Sequence, residues 1–346
     1  MAAGNRREDR TKDAMIRIGD IELANGVLVA PMSGVSDAAF RRAAFDAGAG
    51  LVVSEMVASE ELARGRPDVV TRAESDPAVR PFVMQLAGRE ARWMAEGARI
   101  AEASGADIID INMGCPARQV TGALSGSALM RDPDHALGLI EATVSATSRP
   151  VTLKMRLGWD WDAINAPEIA ARAEAAGVRM IIVHGRVRNQ FYKGVANWDA
   201  VRAVKARISV PLIVNGDIVD AASARAALAK SGADGVMVGR ASVGRPWLPG
   251  AIAAALGAGS PKIATPSLAA QVAMMTAQYE ATLALYPGNL GVKVARKHLS
   301  AFVDAAPLSV PVEARRALRG DICRLWDPDT VLARLRSLPE AAALAA

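Results

Sequence analysis

The segment Asn112-Met113-Gly114-Cys115-Pro116 carries the residue types that come nearest to declaring a reaction. A free cysteine is most often a small buried hydrophobe, and Cys323, set in a helical stretch near the C-terminus, reads that way. Cys115 stands instead on a Gly/Pro-bounded loop just past a short apolar run. An unperturbed thiol is about 97% protonated at pH 7, so it can serve as a general acid without tuning. Lys154 and His184 end apolar runs in the same way. A desolvated ammonium is costly without an anion, and Lys154 in such a place can neutralise a developing oxyanion or form a Schiff base. His184, leading into Gly185-Arg186, can donate to the same group or make a structural hydrogen bond. Gln85 offers an acceptor and donors, which suits the imide edge of a ring. Asn215-Gly216-Asp217 and Gly239-Arg240 combine glycines that let backbone approach closely with a cation able to bind bidentately. That is the make-up of a phosphate cradle, although the glycines alone could serve tight turns only.

These residues need a scaffold that ends many strands at one place. Four times a helical stretch closes in a small residue and a glycine and then enters a short branched apolar run: Ala47-Gly48 before 51–53, Ser104-Gly105 before 108–111, Ala176-Gly177 before 180–183, and Ser231-Gly232 before 236–238. Each glycine suits the left-handed position after a helix, and each run is too short and apolar for anything but a buried parallel strand. Further runs at 27–30, 81–86, 150–155 and 211–214 fall between them, the last three opened by proline, which a strand tolerates at its first residue. With Ala-rich amphipathic stretches at 89–103, 133–146, 167–175 and 221–230, the pattern predicts an α/β chain folded as a (β/α)8 TIM barrel. The reactive face of that fold is the C-terminal edge of its strands. In chain order this edge reads Pro31-Met32-Ser33, Ser54-Glu55, Gln85, Asn112 with Cys115, Lys154 with Arg156, His184, Asn215-Gly216-Asp217 and Gly239-Arg240. The last two follow strands seven and eight, where such barrels commonly hold a phosphate.

The pattern predicts a charged tail over 1–13, the barrel over 14–256, a Gly/Ser/Pro linker over 257–266 and a small α-helical domain over 267–346. The chain has 346 residues, 51% hydrophobic and 22% charged, with a net charge of +5 and two cysteines. Those figures exclude a disordered chain, a disulfide-stapled scaffold and a zinc ribbon, and no metal site is expected. No apolar run is long enough to span a bilayer, so the expectation is a soluble, cytoplasmic protein with no membrane partner. From Pro261 onward there are ten Lys/Arg against seven Asp/Glu, which places most of the excess charge in the helical part. Lys293, Arg296 and Lys297 lie on one helix there; such a trio is a solvated face as readily as a phosphate-binding one.

At these residues the chain resembles the tRNA-dihydrouridine synthases, and among them the bacterial B-type subgroup. The resemblance is carried by Ala30-Pro31-Met32-Ser33-Gly34-Val35-Ser36-Asp37, Asn112-Met113-Gly114-Cys115-Pro116, Lys154-Met155-Arg156, His184-Gly185-Arg186 with Gln190, Tyr192, Gly194 and Trp198, Asn215-Gly216-Asp217, Gly239-Arg240, and Arg296-Lys297-His298. It implies an FMN-dependent oxidoreductase that uses NADPH to reduce the C5–C6 double bond of selected uridines in tRNA. Pro31, Met32 and Ser33 would line the flavin ring, with Gln85, Lys154 and His184 at its polar edge. Asn215, Gly216, Asp217, Gly239 and Arg240 would hold the FMN phosphate. Cys115 would protonate C5 as hydride reaches C6. The uridine would have to be flipped out of the RNA, with Asn112, Arg156 and Arg186 at the substrate and Lys293, Arg296 and Lys297 on tRNA phosphates. No obligatory protein partner is implied. The chain departs from the family at Arg118-Gln119, where two lysines are usual, at Val187 in place of Thr, and at Ser300, where an aromatic often stands. Other readings of the same residues are a small-molecule flavin reductase of the dihydropyrimidine or dihydroorotate type, a Schiff-base lyase using Lys154, and a non-catalytic tRNA-binding module.

Overall fold

The computed structural model describes residues 15–122, 124–257 and 265–338. The tail expected over 1–13 lies outside the described residues, as does the expected linker apart from Gly257, Thr265 and Pro266. Eight strands close into a parallel barrel: β1 (Val27–Val29), β2 (Leu51–Ala58), β3 (Val83–Ala87), β4 (Ile108–Met113), β5 (Val151–Arg156), β6 (Met180–His184), β7 (Leu212–Asn215) and β8 (Gly235–Val238). Closure comes from β8 pairing with β1, Val236 opposite Val27 and Val238 opposite Val29. The helix-ending glycines 48, 105, 177 and 232 all take positive φ, between +68° and +107°, as chain reversal into a strand requires. The three prolines stand just ahead of β3, β5 and β7 rather than inside them, so none removes a ladder donor.

Alternation along each strand sorts the barrel into an inside and an outside. Leu28, Leu51, Val53, Val83, Ile108, Met180, Ile182, Ile213 and Met237 meet in the lower interior. Residues of the opposite parity, such as Met84, Ile109, Leu153, Ile181 and Val214, pack outward against the helical layer. The bottom is closed by an antiparallel hairpin, Arg17–Ile18 with Ile21–Glu22, which sends Ile16, Ile18 and Leu23 into the interior cluster. Sequence reading assigned this segment to the barrel without strands, because two-residue strands are too short to show a period.

Four helices, Leu268–Leu285, Asn289–Ala305, Val312–Arg324 and Pro328–Arg336, form the C-terminal unit. Met275, Tyr279, Leu299, Phe302, Ile322 and Leu335 share one cluster with Ala47 and Trp247 of the barrel, so the two parts meet through a common apolar core. Gly244 permits the close approach: its φ is +68°, and a side chain there would overlap the backbone of Phe302. Beside this junction Lys297 Nζ donates to Gly34 O at 3.3 Å, and His298 Nε2 lies 3.2 Å from Val35 O, both on the loop after β1. No described helix is long and apolar enough to cross a membrane.

The hairpin makes a direct claim on stability. Ile18→Ala empties a fully buried site in the barrel floor and should lower the unfolding free energy by about 2 to 5 kcal/mol in urea titration; a parent-like midpoint would show that the hairpin adds nothing to the core.

Candidate functional site

A cavity of about 680 Å³ opens at the C-terminal end of the barrel. Every barrel residue expected at this edge lines it except Ser54, Glu55 and Arg186. It also takes in residues that sequence reading did not place there, notably Tyr192 and Arg245. Arg245 follows β8 by seven residues in the run Gly244-Arg245-Pro246-Trp247, beyond the strand-end positions where a search by fold looks.

Cys115 is half-buried and its loop is held on both sides. The Asn112 Oδ1 accepts from the backbone N–H of Gly114 at 3.1 Å and of Cys115 at 3.0 Å. The Cys115 carbonyl accepts from Ser127 N–H at 3.0 Å and from the Ser127 hydroxyl at 2.8 Å. From β5, Arg156 Nε donates to Gly114 O at 2.8 Å while its Nη1 donates to Val187 O and Phe191 O. This nearly inaccessible guanidinium therefore clamps the Cys115 loop to the loop after β6, and burial pushes its pKa down to about 10. With one Asn112 N–H donated to Gln85 Oε1 at 2.7 Å and its oxygen doubly used, a single amide hydrogen of Asn112 is left for a ligand.

Lys154 reaches into the cavity from β5 and donates to Asn215 Oδ1 at 3.2 Å; Asn215 in turn donates from Nδ2 to Met237 O. Burial, with Arg156 nearby, pushes the ammonium down to about 8. An ammonium in that position, hydrogen-bonded to one neutral oxygen with Asp110 as the nearby acid, favours an anionic ligand. His184 is held well below its ordinary pKa by burial and by Arg156, Lys154, Arg186 and Arg240, so it is neutral. Arg186 Nη1 lies 3.2 Å from His184 Nε2, and because an arginine only donates, Nε2 must be the acceptor and Nδ1 carries the hydrogen.

Arg186 departs from the expected role at the substrate. It is fully buried and spends its donors internally, on Lys193 O, Gly194 O, His184 and both oxygens of Asp217 at 2.8 and 2.6 Å. Asp217 accepts from Ala196 N–H as well, so most of its carboxylate's acceptor capacity is met by the protein. Gly216 and Asp217 both take positive φ, and a Cβ at Gly216 would come within 2.7 Å of His184. Across the rim, Arg240 is largely exposed, 3.4 Å from Asp217 and 5.2 Å over the Tyr192 ring, and Arg245 is anchored by Nε to Ala241 O. Lys154, Arg156, Arg240 and Arg245 line a mouth in which Asp217 is the lining acid, and Asp110 lies buried beneath it, where burial drives it toward its neutral form. The cleft favours an anion.

Of the helical trio, Lys293 and Lys297 are exposed. Arg296 is half-buried: its guanidinium lies 4.0 Å over the exposed Trp326 ring and donates to Leu325 O at 3.2 Å, so part of its donor capacity is spent within the helical unit.

The family model for dihydrouridine synthase (Dus) matches residues 28–341. A protein of Rhodobacter capsulatus described as a probable tRNA-dihydrouridine synthase is 55% identical over 93% of this chain and 97% of its own length. A Xanthomonas axonopodis protein described as tRNA-dihydrouridine synthase B is 40% identical over 93% and 95%. Among solved structures, morphinone reductase is similar in fold, with a TM-score of 0.50 and 15% identity over 70% of this chain and 89% of its own.

The Lys154 environment sets a pH dependence. Without a bound anion, the cost of burying the charge is present in full below about pH 8 and is relieved as the pH rises toward 10.5, because the folded ammonium loses its proton before the unfolded one. The stability of the parent relative to Lys154→Met should therefore rise between about pH 7.5 and 9.5, by on the order of 2 kcal/mol in urea titrations. A constant difference across that window would place Lys154 in contact with solvent.

Proposed function

The chain belongs to the dihydrouridine synthase family, and from that premise we propose that it reduces the C5–C6 double bond of selected uridines in tRNA, with FMN as cofactor and NADPH as reductant. The observation that carries this reading is one cavity holding a positioned thiol, Cys115, together with a buried cation, Lys154, and a neutral imidazole donor, His184.

The residues present fit FMN at both of its polar ends. Lys154, with one neutral partner, and His184, with its Nδ1 hydrogen, suit the electron-rich edge of a flavin ring. Gln85 stands beside them, and Pro31, Met32 and Ser33 supply a wall. The backbone of Asn215, Gly216 and Asp217, the turn at Gly239 and Arg240, and Arg245 suit a phosphate. When bound there, FMN would supply hydride chemistry for C6 of the uridine. The protein's part is to deliver a proton to C5 from Cys115, whose loop is fixed through Asn112, Ser127 and Arg156. Lys154 balances negative charge at the ring edge. A uridine in folded RNA must be extruded to reach this depth. Asn112 can give it one N–H, while Arg156 and Arg186 serve by holding loops and Asp217. Lys293 and Lys297, both exposed on one helix, are the residues that would meet tRNA phosphates, and Lys297 also touches the loop that runs on from Pro31, Met32 and Ser33.

Two outcomes check this reading. Cys115→Ala should still bind FMN and oxidise NADPH while dihydrouridine formation in transcript tRNA falls by about 100-fold or more; undiminished product, or reduction of free uracil in preference to tRNA, would overturn it. Lys293→Ala and Lys297→Ala should each reduce the salt slope of tRNA binding by about 1. Arg296→Met should leave that slope unchanged and lower the melting temperature instead, and the opposite pattern would return Arg296 to the RNA surface.

A further inference from the structure

Asp110 has no part in the chemistry described so far, yet it is the buried end of a continuous chain of side-chain hydrogen bonds that finishes at Cys115. It sits mid-strand in β4, two residues before Asn112 and of the same parity, so it points into the barrel below the cavity and is completely inaccessible. Gln85 Nε2 donates to Asp110 Oδ2 at 2.6 Å, and the Thr152 hydroxyl donates to Oδ1 at 2.6 Å. Asn112 Nδ2 donates to Gln85 Oε1, and Asn112 Oδ1 accepts the backbone N–H groups of Gly114 and Cys115.

We propose that Asp110 is a positioning residue for the Cys115 loop, acting through the amides of Gln85 and Asn112. The proposal deepens the reading of Cys115 as the proton donor and rests on it.

The chain of hydrogen bonds can run in one polarity only. Backbone N–H groups at the upper end require the Asn112 oxygen to face them, so its NH2 faces Gln85 and the Gln85 oxygen faces Asn112. The Gln85 NH2 then points downward and needs an acceptor in a place where water cannot supply one. Asp110 is that acceptor. Reversing either amide would set donor against donor at Cys115 or acceptor against acceptor at Asp110. Protonation of Asp110 leaves the polarity intact, because the hydrogen can sit on Oδ1 and be given to the Thr152 oxygen while Oδ2 still accepts from Gln85. An asparagine at 110 can do the same, its NH2 toward Thr152 and its oxygen toward Gln85. A leucine of the same shape cannot. Position 110 therefore requires an acceptor rather than a charge.

The test reads the loop by the rate at which iodoacetamide alkylates Cys115, followed by mass spectrometry on the purified full chain with Cys323→Ala as the parent, so that one thiol remains. Asp110→Leu should change that rate by about fivefold, the effect of losing one hydrogen bond's restraint, and Asp110→Asn should stay within about twofold of the parent. Gln85→Met removes the middle link without touching the acid and should reproduce the Asp110→Leu change, which keeps the test decisive if Asp110→Leu does not fold. The double variant should add nothing to either single one, because both break the same chain. Parent-like alkylation in Asp110→Leu or in Gln85→Met, an Asp110→Asn as altered as Asp110→Leu, or additive effects in the double variant would each overturn the proposal. Alkylation is read without any turnover, so failure here is separate from failure of Cys115→Ala to lose dihydrouridine formation.

Discussion

Closing eight parallel strands into a ring leaves every second side chain facing the axis, and most of the molecule follows from what those side chains are. In the lower half they are Leu28, Leu51, Val83, Ile108, Met180, Ile213 and Met237, with the hairpin residues Ile16, Ile18 and Leu23 closing the floor. In the upper half the same parity brings Gln85, Asp110, Asn112, Thr152, Lys154, Arg156, His184 and Asn215 to one end. Polar groups so enclosed must satisfy one another or a ligand. The cavity is the place where they do not fully satisfy one another.

Electrostatics then separates the groups that build the site from those that act in it. Arg156 and Arg186 are the most deeply buried cations of the mouth, and each is spent on backbone carbonyls of the loops around it. Arg186 also neutralises Asp217 and fixes the tautomer of His184. What remains with donors to give is Lys154, the neutral His184 and the rim arginines 240 and 245. That division leaves a cleft whose cations outnumber its one lining acid, Asp217, which is already paired with Arg186, and such a cleft fits an anionic ligand in a dihydrouridine synthase.

The helical unit is joined to this mouth by more than apolar contact. Lys297 and His298 meet the backbone of Gly34 and Val35, on the loop that continues from the cavity-lining Pro31, Met32 and Ser33. The helix that carries Lys293 and Lys297 thus bears directly on the loop that walls the cavity, while Arg296 on the same helix stacks on Trp326.

Much of this was legible in local pattern. Helix-ending glycines, short branched runs and opening prolines determine a (β/α)8 barrel, because handedness and period are properties of neighbouring residues. Strand ends then mark Cys115, Lys154, His184 and the two glycine turns as the reactive edge. Local pattern did not disclose the floor hairpin, whose strands are too short for a period, nor Asp110, which is hidden inside an apolar run. It also could not tell which cations are spent. Arg186 and Arg296 look like ligand-binding residues in sequence, and only the folded chain brings Asp217 to the one and Trp326 to the other. The physical reason is that a side chain's role depends on which hydrogen-bond partners reach it. Here those partners lie 25 residues away for Asp110 and Gln85, 61 for Lys154 and Asn215, and 263 for Lys297 and Gly34. Such distances are set by barrel closure and domain docking, and no local window contains them.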